Sequence, residues 1–97
     1  MKSVFISYGQ SLNQAVAELF DKLEIRGFSR WDETFGRGSV NGEPHYGTHA
    51  WPSKNSTIIS IMEDKKATLL LEKLRLLNEQ AEQQGLNAFV WTVEEQL

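Results

Sequence analysis

The chain has no cysteine. Disulfides, thiolate zinc sites and cysteine nucleophiles are therefore excluded, and the composition fits a reducing compartment. Positive charge is also short: Lys and Arg number 10 against 13 Asp and Glu, a net charge of −3. Nucleic-acid-binding domains carry a basic footprint, so no nucleic-acid partner is expected. Lys65, Lys66, Lys73 and Arg75 come nearest to a basic cluster, but acids interleave with them, as on a solvated helix face. No apolar run approaches the roughly 18 residues of a membrane helix. The opening MKSVFISYGQ has too short an apolar part for a signal segment, and no cleavage pattern follows. A soluble cytoplasmic protein without a membrane span is expected. Signatures of catalysis are missing too: there is no nucleophile elbow, P-loop or HExxH pattern. Asp32, Glu33, Glu63 and Asp64 are explained by strand or cap roles. The chain reads as a non-enzyme.

Composition and pattern point instead to a small folded unit. With 97 residues, 40% hydrophobic and 24% charged, the chain is expected to form one domain over residues 1–97. Residues 3–8, SVFISY, are rich in strand formers and read as a buried strand. Ser11 and Gln14 have the spacing of a capping box. Leu12, Val16, Leu19, Phe20 and Leu23 then make one apolar helical stripe, and Gly27 suits the left-handed position after the helix. Residues 28–35, FSRWDETF, read as a second strand with Trp31, Glu33 and Phe35 on one face and Arg30, Asp32 and Thr34 on the other.

Residues 56–62, STIISIM, read as a third strand, apolar on both faces and so central. Asp64 is a good N-cap for a long helix over 65–84. Leu70, Leu74, Leu77 and Ala81 form its stripe, widened by Leu69 and Leu76, and Gly85 closes it. Residues 86–93, LNAFVWTV, are the last strand. The order βαββαβ predicts an α+β, ferredoxin-like two-layer sandwich: an antiparallel four-stranded sheet with two helices on one face. Trp31, Phe35, Phe89 and Trp91 leave more apolar surface than one helix layer covers, so a homo-oligomer that buries the open sheet face is expected.

One stretch departs from this regular pattern. Residues 35–55, FGRGSVNGEPHYGTHAWPSKN, hold four of the seven glycines, both prolines and both histidines. A functional loop over 36–55 is expected rather than a spacer. In Gly36-Arg37-Gly38 the glycines let backbone amides face an anion and Arg37 can clamp a carboxylate or phosphate; a plain turn with a solvated Arg has the same pattern. Glu43, His45 and His49 are candidate ligands for zinc, copper or nickel, or the histidines are simply exposed or pH-sensitive. Trp51, in a polar loop, suits an anchor against a neighbouring subunit or a contact with a pocket or partner protein.

The chain resembles the PII-like proteins of the nitrogen regulatory PII superfamily. The resemblance rests on KSVFISY, the second strand entering Phe35-Gly36-Arg37-Gly38, the following loop, and STIISIMED running through Met62-Glu63-Asp64 into a long helix. It implies a flexible effector loop after the second strand and three subunits packed with their sheets inward. It also implies a small ligand, a nucleotide or other anion, in the cleft between subunits. Thr34, Gly36, Arg37 and Gly38 would meet the ligand, and Tyr46 and Trp51 would respond to it or touch a target protein. PII proteins also grip phosphates with a loop before the last strand; here Gln84-Gly85-Leu86-Asn87 offers no Lys or Arg. CutA-like divalent-cation tolerance proteins share the fold and the trimer and stand second, with divalent metal as their cofactor. A non-catalytic protein-interaction module stands third.

Overall fold

The structure is a computed structural model and describes residues 1–37, 40, 42–48, 54–81 and 85–97. Strand β1, Lys2–Gly9, leads through a 3-10 turn, Gln10–Leu12, into helix α1, Asn13–Lys22. Strand β2, Ser29–Thr34, is followed by two short strands, β3 at Gly36–Arg37 and β4 at Pro44–His45. Strand β5, Asn55–Met62, runs into helix α2, Asp64–Gln80, and β6, Asn87–Thr92, ends the fold. The main sheet has the order β2-β5-β1-β6 and is antiparallel throughout. This is the expected α+β, ferredoxin-like arrangement. No helix among the described residues is long and apolar enough to cross a membrane.

Alternation along the strands sorts the core. Val4, Ile6 and Tyr8 of β1 and Ile58 and Met62 of β5 are buried on one face. They cluster with Val16 and Phe20 of α1 and with Ala67, Leu70 and Leu74 of α2, so both helices cover that face. The opposite face has no layer over it among the described residues. Cross-strand register places Ser29, Ile59, Phe5 and Phe89 in one row there, with Ile61, Ser3 and Trp91 in the next. Trp31, Thr57, Ser7 and Asn87 form a third row. Trp31, Ile61, Phe89 and Trp91 are 50%, 42%, 58% and 49% exposed. Surface of this kind, contiguous and aromatic, is what monomers rarely leave in water.

Four local readings need correction. Helix α1 ends at Lys22, and Glu24, not Gly27, takes the left-handed turn at φ 56°. The Ile25 amide bonds the Phe20 carbonyl at 2.9 Å and the Glu24 amide bonds Asp21 at 3.1 Å. These two bonds make a Schellman end, and they seat Ile25 in the core beside Phe20. At the start of α1 the cap position is Leu12, and Gln14 reaches forward to Glu18 at 3.2 Å instead of back. Asp64 is the first residue of α2, with Glu63 at the cap; its carboxylate meets the N-terminal ammonium at 3.2 Å. Leu69 and Leu76 face outward, so the α2 stripe is narrower than its leucine count suggests.

A fifth correction bears on function. Trp31 pairs with Thr57 and Thr34 pairs with Asn55, so β2 carries one extra residue between them. A bulge of this kind shifts the alternation by one. Thr34 therefore joins Trp31 on the open face instead of opposing it, and its Oγ1 lies 3.0 Å from Thr57 Oγ1.

Candidate functional site

The bulge aims Thr34 into a cleft of about 390 Å³ at the edge of the open face. Sheet register supplies its floor. Ser7 and Phe5 come from β1, Asn55 and Thr57 from β5, and Asn87 and Phe89 from β6. Phe35, Gly36 and Arg37 close one side and Gly85 the other. Three of the four residues expected to meet a ligand, Thr34, Gly36 and Arg37, therefore line one cleft. Gly38 lies outside the described residues, as do His49 and Trp51. Phe5, Asn55, Thr57, Asn87 and Phe89 were not foreseen, because distant strands bring them together through register.

The chemistry of the lining is mixed. Phe5 and Phe89 form a tilted pair with ring centroids 6.4 Å apart. Beside them lie the hydroxyls of Ser7, Thr34 and Thr57 and the amides of Asn55 and Asn87. Arg37 is exposed and is the one ionisable side chain along the cleft among the described residues. Small-molecule sites typically combine apolar walls with a few polar groups in this way.

The base of the 36–55 loop is tied to the cleft. Gly36 pairs with His45 and Arg37 with Pro44, making a two-rung hairpin within the glycine-rich stretch. His45 is buried, only 5% exposed. Its Nδ1 lies 2.5 Å from Asn55 Oδ1. An amide oxygen only accepts, so Nδ1 is the donor in this contact. Gly47, at φ +66°, packs so closely that an added Cβ would stand 2.9 Å from both Phe35 Cε1 and Lys54 Cε. Lys54 in turn pairs with Glu33 at 2.8 Å. Tyr46 and Glu43 are exposed. Among the described residues no group of three His, Asp or Glu side chains is placed to hold a metal ion.

No protein-family model matches the chain, and no curated protein matches it in sequence. Solved structures do. CPII, a nitrogen regulatory PII-like protein from Thiomonas intermedia, bound to ADP, AMP and bicarbonate, superimposes with a TM-score of 0.75 at 17% identity. That match covers 93% of this chain and 82% of CPII. A putative PII-like signaling protein from Thermus thermophilus gives 0.65 at 24% identity, over 95% of this chain and 85% of its own. The apo form of CPII gives 0.68 at 16%, over 95% and 89%. The chain has the PII-like fold.

Proposed function

We propose that the chain is a cytoplasmic, non-enzymatic PII-like regulator that binds a small ligand at the base of its 36–55 loop and signals through that loop. It works as a homotrimer with the open sheet faces turned inward, and neither nucleic acid nor membrane is its partner. One observation carries the reading. Thr34, Gly36 and Arg37, expected to meet a ligand from the loop pattern and the PII-like resemblance, line a single cleft with Asn55, Thr57 and Asn87 on the open face. A second subunit against that face would turn the cleft from an open groove into an enclosed site, and would bury Trp31, Ile61, Phe89 and Trp91 at the same time. Tyr46 and Trp51 are the loop residues proposed to meet a target protein.

The test is a thermal-shift screen of the purified chain with nucleotides, small carboxylates, bicarbonate and divalent metals, with mass measured by light scattering. A ligand that binds only the folded state raises the melting temperature by mass action. A shift with nucleotide or small anion, on a particle three times the 11.1 kDa chain, is the expected result. A shift with zinc, copper or nickel alone would move the site to Glu43, His45 and His49. A monomer mass would remove the enclosed cleft and the reading with it.

A further inference from the structure

The two edges of the main sheet are unlike. Strand β2 is blunted: Arg30, Asp32 and Glu33 are charged and exposed, and the bulge after Trp31 breaks its register. Strand β6, NAFVWT, has no charge and no proline, and it pairs with β1 over six unbroken positions. An edge this bare is a template for another strand. The ladder shows which of its groups are free. The Val93 amide bonds the Met1 carbonyl, so by alternation residues 87, 89 and 91 also aim their backbone groups at β1. The N–H and C=O groups of Ala88, Val90 and Thr92 point outward, with no strand beyond them among the described residues.

The side chains of Ala88 and Val90 turn to the helix side, where two hollows of about 260 Å³ each lie between β6 and α2. Val90, Ala67 and Leu71 line the first, and Ala88, Leu86, Leu71 and Leu74 the second. Lys2 and Asp64 at the first are engaged, with the Thr92 hydroxyl and the N-terminal ammonium. Arg75 at the second is exposed and has no acid within ion-pair distance among the described residues. Opposed residues of an antiparallel ladder share a face. A strand laid on β6 would therefore turn the side chains opposite Val90, Ala88 and Leu86 toward α2, the last beside Arg75.

We propose that β6 is a docking edge for an extended segment of a partner protein, which adds as an antiparallel fifth strand with the pattern apolar-x-apolar-x-acidic. The two apolar side chains fill the hollows, and the acid meets Arg75. Docking uses the outward backbone and helix side of β6, whereas the ligand cleft uses Asn87 and Phe89 on its open face. The test is anisotropy titration of the intact protein against a fluorescein-labelled, end-blocked peptide, Thr-Thr-Val-Thr-Val-Thr-Glu. Saturable binding is expected, and it should vanish when the first valine is N-methylated, because that amide faces β6. N-methylation of the threonine after it, whose amide faces away, should change affinity by less than about threefold. Lysine in place of the peptide's glutamate should weaken binding at least about threefold, and Arg75→Glu in the protein should restore it. Val90→Pro removes an outward donor and no bond to β1, so it should abolish binding in a chain that still melts cooperatively. No saturation at about 1 mM peptide, or equal affinity for the two N-methylated forms, would overturn strand addition. Affinity that ignores the charge exchange would overturn the acidic partner. A mass that rises with chain concentration and falls in Val90→Pro would give the edge to a second copy and overturn the partner segment.

Discussion

The His45 ring donates from Nδ1 to the side-chain oxygen of Asn55 across 2.5 Å, and both residues are buried. His45 belongs to the loop hairpin and Asn55 to the cleft floor. The contact is thus a direct link between the segment read as signalling and the segment read as binding.

Removing that link has a measurable cost. His45→Ala strands a buried amide oxygen and is expected to cost about 1–3 kcal/mol in urea denaturation. Asn55→Ala should cost a similar amount, and the double variant less than the sum, with a coupling of at least about 0.5 kcal/mol. Additive losses would mean that the two side chains do not act on each other.

The loop should be equally sensitive at Gly47. Alanine there meets a left-handed backbone and two atoms at 2.9 Å, so Gly47→Ala is expected to destabilise by about 1–2 kcal/mol or more. Gly27→Ala is the control, because nothing lies within 4 Å of a Cβ at Gly27 and its φ is ordinary. Equal melting temperatures for the two variants would contradict the close packing of Phe35 over Gly47.

Tyr8 gives the pH dependence a sign. Its hydroxyl is buried without a hydrogen-bond partner among the described residues. Burial raises its pKa above 10.0, while Arg30 and the nearby Ser56 hydroxyl pull down more weakly. The unfolded chain then ionises before the folded one as pH climbs past 10.0, so the native state loses stability from there upward. Tyr8→Phe should abolish this alkaline loss and, by removing an unsatisfied group, raise stability at neutral pH by about 1 kcal/mol. The check is a set of denaturation midpoints between pH 7 and pH 11.

Assembly is expected to depend on the open face alone. Trp91→Glu places a charge on the aromatic patch, on edge strand β6, and should reduce the particle to a monomer in light scattering. Leu76→Glu, on the exposed side of α2, should leave the mass unchanged. A trimer that survives the first change and is broken by the second would put the interface on the helices.

Much of this architecture was legible in the sequence, because SVFISY and STIISIM are short runs of strand formers and the Val16-Phe20 stripe has the helical period. The exposed aromatic face followed from counting apolar residues against one helix layer. The bulge after Trp31 was not legible: one inserted residue leaves the hydrophobicity of FSRWDETF unchanged while moving Thr34 to the other face. Strands β3 and β4 have two residues each and no period to detect. The end of α1 was misplaced because Glu24 adopts a backbone angle that glycine usually supplies. Of the cleft, the loop pattern pointed to Gly36 and Arg37, and the PII-like resemblance added Thr34. Phe5, Asn55, Thr57, Asn87 and Phe89 gave no local signal, since only the register of three separate strands brings them together.

The most direct test of the cleft is amide chemical-shift mapping on the intact assembly, using whichever compound gives the largest thermal shift in the screen. The largest saturable changes should fall on Gly36, Arg37, Asn55, Thr57 and Asn87. Largest changes at Gly27, Glu63 and Lys66, which line a separate cleft of about 350 Å³ near the N-terminus, would contradict it.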